Sequence, residues 1–246
     1  MPRATPLPGD GQPVGVPAEL SLGASNLGEI MKPTAGDPDT GVAVPGVQLL
    51  GALALRVTRN FSMTAIYEHG LASTATPVKS SEPPINNGDV IGGGVGWAYS
   101  IETSTPGFRV GLANAIVLWS TPWIQYTSCV SNCAVPGATS ITLGSSTVPS
   151  IAFAVVPSYR TGRFTVFGGV TARNHPTITE KIDTNLPTDP DVMPGPLNFI
   201  IHAGASVALG RVRMSVVIHQ DLNANPVRYG PGVGALITLP LALDNP

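Results

Sequence analysis

The sequence is short of charge. Its 246 residues include only 13 basic and 15 acidic side chains, 11% of the chain, for a formal net charge of −2. A soluble globular domain carries about 25%. There is no basic excess and no Lys/Arg-rich run, which excludes a nucleic-acid binder of the usual kind. No apolar run reaches about 18 residues, so no transmembrane helix is expected. The opening Met1-Pro2-Arg3-Ala4-Thr5-Pro6 lacks an apolar h-region and does not read as a signal peptide. Cysteine is nearly missing. Cys129 and Cys133 form a lone C-x3-C, too sparse for a zinc site, which reads as a local loop disulfide in an oxidising compartment.

What is present is an ordinary 43% of hydrophobic residues, with 28 Gly and 25 Pro. That is too apolar for disorder and too rich in helix breakers for long helices. Residues 1–17 hold five prolines and read as a periplasmic lead-in. From 18 to 243 the period is 2. Val47-Gln48-Leu49-Leu50-Gly51-Ala52-Leu53-Ala54-Leu55-Arg56 alternates two different faces, as a strand does.

The same reading predicts ten strands: 18–30, 46–58, 61–70, 89–102, 107–121, 150–160, 163–173, 197–209, 211–221 and 229–243. A tilted strand needs about 9–11 residues to cross a bilayer. Tight connections at Arg59-Asn60, Ser104-Thr105-Pro106, Thr161-Gly162 and Gly210 alternate with long ones at 31–45, 71–88, 127–149, 174–196 and 222–228. One face carries Leu49, Leu53, Met63, Val95, Trp97, Leu112, Phe153, Val166, Ile201, Val216 and Ile237, with no charge. The other is small, polar or charged. A lipid face rejects charge, which matches an up-and-down antiparallel transmembrane β-barrel with short periplasmic turns and long extracellular loops.

On this pattern the chain resembles bacterial outer-membrane β-barrel proteins of the small porin-like class. Gly232-Val233-Gly234-Ala235-Leu236-Ile237-Thr238-Leu239 looks like their C-terminal insertion signal, although no aromatic residue ends it and Asp244-Asn245-Pro246 follows. The resemblance implies a bacterial outer-membrane location, contact with lipid and lipopolysaccharide, no cofactor, and no enzymatic activity.

Several residues carry functional expectations. Arg56, Arg109, Arg160 and Arg213 share lumen parity beside the short turns, and are expected to form a basic collar, with Glu102 able to pair with one of them. Rings of one charge select ions. Glu68, Arg173 and His202 also have lumen parity. His219 and Asp221 bring to mind the Asp/His pair of ten-stranded outer-membrane proteases, but the order is reversed and Glu68 stands without an acidic neighbour. They read as polar rim residues. Asp-Pro-Asp at 37–39 and 189–191 reads as turn sequence rather than a Ca²⁺ loop. Gly92-Gly93-Gly94-Val95-Gly96 is no phosphate loop, and glycine in a strand leaves room for another group to approach. Trp97, Tyr99, Trp123 and Tyr126 read as interfacial aromatics, as does Trp119 unless it packs inside. Two functions fit: a narrow passive channel for small anionic solutes, or a non-conducting anchor or scaffold subunit of an envelope complex such as motility or adhesion machinery.

Overall fold

A computed structural model describes residues 18–26, 30–31, 40–42, 47–71, 74–75, 85–86, 90–128, 139–179, 191–222, 228–229 and 231–241. Ten strands make the wall: β1 (Ala18–Asn26), β2 (Val47–Arg56), β3 (Phe61–Leu71), β4 (Val90–Glu102), β5 (Phe108–Ser128), β6 (Thr139–Thr161), β7 (Phe164–Thr179), β8 (Asp191–Leu209), β9 (Val212–Asp221) and β10 (Gly232–Leu241). Each pairs antiparallel with its chain neighbours. β10 then pairs with β1, from Ala18↔Leu241 to Ser25↔Gly234, and closes the barrel. Closure leaves no open sheet edge through the wall, so every backbone amide there can be satisfied without water.

The short turns fall at 57–60, 103–107, 162–163 and 210–211, all at one end. Gly107, Gly162 and Gly210 hold positive φ of 80°, 58° and 63°, which L side chains rarely adopt, so glycine is what these reversals require. Residues 1–17, both Asp-Pro-Asp motifs at 37–39 and 189–190, Cys129 and Cys133 lie outside the described residues; Asp191 begins β8.

The alternation of strand faces is as expected, but three features differ. First, the expected loops 127–149 and 174–196 are in large part β ladder. β5 and β6 pair continuously from Thr139↔Ser128 to Tyr159↔Phe108, and β7 and β8 pair up to Thr179↔Asp191. Pro122, Pro149 and Pro176 lie within these ladders. A missing amide costs a ladder only on the side where that amide would point, so β5 and β6 pair through Pro122 and Pro149, and the Pro176↔Pro194 pairing follows a register shift at Asn174. A short segment, Thr40–Val42, adds to the same upper part of β5. Second, β1 stops at Asn26, and Ile30–Met31 instead pairs with Arg228–Tyr229. Asn26 caps the seam, because its Oδ1 accepts the Val233 amide at 2.7 Å.

Third, the bore is not uniformly small and polar. Leu50, Ile66, Val90, Trp119, Val156, Phe167, Val217 and Leu236 are buried inside it as one apolar cluster. A barrel of this strand number is narrow enough for side chains to fill. The outside is the reverse of a soluble protein. Leu53, Met63, Val95, Phe153, Val166, Val216 and Ile237 are all exposed. Only a lipid environment makes such an apolar belt favourable. On this outer surface the Phe61 and Trp97 rings lie with centroids 6.3 Å apart and planes tilted by 33°.

Candidate functional site

The candidate site is the bore, and its side chains sort into three tiers. The tier nearest the long connections is polar and ion-paired. Glu68 on β3 and Arg173 on β7 lie on nearly opposite walls, and their 3.3 Å contact crosses the lumen. Both side chains are sealed from solvent, Arg173 at 1% exposure and Glu68 at 0%. Gln48 Nε2 donates to the same Glu68 oxygen at 3.1 Å. Arg173 Nε donates to Ser150 Oγ at 3.0 Å, and the Ser150 hydroxyl in turn donates to the Asn174 carbonyl at 3.1 Å. The guanidinium also sits 5.1 Å over the Trp119 ring. A buried charge needs such a set of partners, because desolvation alone would be prohibitive.

Trp119 reaches this position because its register partner on β4 is Gly92. A Cβ on Gly92 would stand 2.7 Å from the indole. The glycine run therefore leaves room for an aromatic side chain, as its composition suggested. Around the ring, Asn198 Nδ2 donates to Asp221 Oδ2 at 3.0 Å, and the His219 ring nitrogen Nε2 donates to the Asn26 carbonyl at 3.1 Å. His202 is the register partner of His219 and is buried beside it. So His219 and Asp221 are interior groups with structural partners, not solvated rim residues, and Glu68 is held by a cation.

The middle tier is built around an apolar cluster, Ile66, Val156, Phe167, Val217 and Leu236, with the small hydroxyl of Ser215 buried in register with Leu236. Phe167 lies over Gly204, where an added Cβ would come within 2.5 Å of the ring, and Leu236 lies over Gly23. Ala54, Ala115, Ser21 and Thr64 fill the space between them and are all buried.

The third tier, at the short turns, holds the four arginines expected to form a collar. Arg109 binds Glu102 at 2.9 Å, and Glu102 also takes Arg59 at 3.3 Å. Arg213 pairs with Glu19 at 3.0 Å. Arg56 and Arg160 donate their Nε protons to the carbonyls of Thr58 and Gly162 in their own turns. The geometry therefore divides the collar: two members are neutralised by carboxylates, and two clamp turns. A recess of about 390 Å³ lies here, lined in part by Arg59, Glu102, Arg109 and Arg160. Glu19 carries no functional expectation from the sequence pattern. Its parity with Ser21 and Ser25 was the available sign that it faces the bore.

No family model and no curated protein sequence matches this chain. Solved structures of outer-membrane proteins align with it over most of its length. The beta domain of the Bordetella autotransporter Brka aligns over 92% of this chain and 100% of its own, with 8% identity and a TM-score of 0.47. LpxR from Salmonella typhimurium aligns over 91% and 100%, with 11% identity and a TM-score of 0.42. An outer membrane channel from Pseudomonas putida F1 aligns over 96% and 99%, with 8% identity and a TM-score of 0.42. The chain has the fold of an outer-membrane β-barrel. Its own apolar belt and closed antiparallel wall establish that architecture.

Proposed function

We propose that this protein is a bacterial outer-membrane barrel that does not conduct at rest and serves as an anchor or scaffold in the envelope. The observation carrying this reading is the apolar tier across the bore, with the buried Glu68–Arg173 pair above it. Apolar constrictions exclude ions by dewetting. The unequal wall supports the same reading. β5 and β6, with 21 and 23 residues, exceed the roughly 9–11 needed to cross a bilayer, whereas β2 and β9 have 10 each. The tall side continues the β ladder beyond the span a bilayer needs, where another envelope protein or lipopolysaccharide can reach it. In this reading the long connections face outward from the cell and the short turns face the periplasm.

Planar-bilayer recording tests the proposal. The purified protein is expected to insert without unitary current steps. A stable unitary conductance in the parent protein would overturn it and favour the second reading, a narrow passive channel. What favours that second reading is the arginine-lined recess at the short-turn mouth. In that case anion preference, shrinking at high salt, is the expected signature.

A further inference from the structure

The outward positions in the middle of the wall are apolar, with one exception. On β5 the outward series runs Val110, Leu112, Asn114, Ile116, Leu118. Asn114 pairs in register with Trp97 on β4 and Phe153 on β6, and both are exposed on the outer surface. Of the other outward polar side chains, His69 and Gln220 stand near the ends of their strands, and Ser120 stands opposite Ile91 at the start of β4. His69 also has the Tyr67 hydroxyl at 3.4 Å. Among the described residues the Asn114 carboxamide makes no hydrogen bond. In a soluble protein water would serve it. At this depth in a bilayer there is no water, lipid tails offer neither donor nor acceptor, and an unmet amide is unfavourable.

We propose that the β4–β6 wall around Asn114 is a two-fold interface with a second copy of this chain, formed within the membrane. A carboxamide carries both donors and an acceptor, so it is complementary to itself. Two copies related by a two-fold axis near Asn114 place one amide against the other, and each satisfies its partner. Such an isologous contact closes as a dimer and leaves no further sticky edge. Trp97, Phe153, Val95, Val155 and Ile116 surround the amide and supply the packing face. A soluble partner has no access to this wall, and headgroups lie beyond its depth. This inference goes beyond the anchor reading and does not depend on whether the bore conducts.

Sedimentation equilibrium in density-matched micelles, with subunit counting by photobleaching in vesicles, provides the test. The parent is expected to dimerise reversibly as the protein-to-detergent ratio rises. Asn114→Leu and Asn114→Ala are expected to weaken the dimer roughly 3- to 30-fold, the range for polar contacts between membrane segments. Asn114→Gln, which keeps the amide, is expected to retain most of the affinity. Ser120→Ala, on the same face near the rim, is expected to have no effect. The heat-dependent gel shift of folded barrels confirms that each variant is native. A parent that stays monomeric throughout, or an equally strong dimer in folded Asn114→Leu, would overturn the proposal.

Discussion

The barrel contains two arginine–glutamate clusters of the same chemistry in opposite settings. At the short-turn mouth, Glu102 holds Arg59 and Arg109, with side chains 37%, 75% and 27% exposed. Across the bore, Glu68 holds Arg173 with neither in contact with solvent. Water screens the first cluster, so each pair there contributes at most about 1 kcal/mol. In the second, the charges have exchanged water for one another, for Gln48 and Ser150, and for the Trp119 face. Such a pair adds little stability over an apolar filling of equal volume, yet losing one member leaves an uncompensated buried charge. Number and distance of ion pairs therefore say little about this barrel; burial decides what each one does.

The sharpest way to break that contrast is to remove half of the buried pair. Arg173→Met is expected to lose about 3–5 kcal/mol of stability, because the buried Glu68 side chain loses its cationic partner. Adding Glu68→Gln to the same protein is expected to recover most of the loss. Reversible urea unfolding in micelles or vesicles measures both. A single variant as stable as the parent would mean that water already reaches Glu68 and that the bore is open. The non-conducting proposal would fall with it.

A smaller effect comes from two adjacent glycines on β4. Gly92 points into the bore beneath Trp119, whereas Gly93 points outward with nothing within 4 Å of an added Cβ. Gly92→Val is expected to lose about 1–3 kcal/mol through overpacking. Gly93→Val is expected to be neutral or mildly stabilising, since a β-branched side chain suits an apolar outward strand position. Equal effects at the two sites would show that Trp119 is not fixed under Arg173, and the upper tier would lose its floor.

These contrasts also mark what could be read from the sequence. Parity identified Glu68, Arg173 and His202 as interior, because a period of 2 separates faces whatever the barrel's stagger. It could not say that Glu68 meets Arg173. The two lie 105 residues apart, and their meeting depends on strand tilt around the ring. The apolar tier was hidden for a related reason. Leu50, Ile66 and Leu236 stand among outward apolar residues, so their strands read locally as continuous hydrophobic runs. The upper ladder of β5 and β6 was not legible, because residues 127–149 mix Ser, Thr, Gly and Pro without the apolar alternation of the wall. Asn114 was legible as a gap in the series Val110, Leu112, Ile116, Leu118, but its meaning required knowing that this face meets lipid.

The smallest expected effect is at the mouth, and its size is the point of the comparison. Glu102→Gln removes the carboxylate that ties Arg59 to Arg109. The amide that replaces it keeps one acceptor oxygen, so the side-chain contact survives without its charge. Both arginines remain solvated, so neither is stranded in a low-dielectric site as Glu68 is in Arg173→Met. The loss is expected to stay below about 1 kcal/mol at low salt. In 1 M salt the Debye length falls to about 3 Å, comparable to the pair distances, and the difference from the parent is expected to vanish. The Arg173→Met deficit, shielded from ions by the protein wall, is expected to persist there. Urea unfolding of both variants at the two salt concentrations separates the cases. A salt-insensitive Glu102→Gln deficit of several kcal/mol would show that the mouth is as dry as the bore, and would remove the distinction between the two clusters.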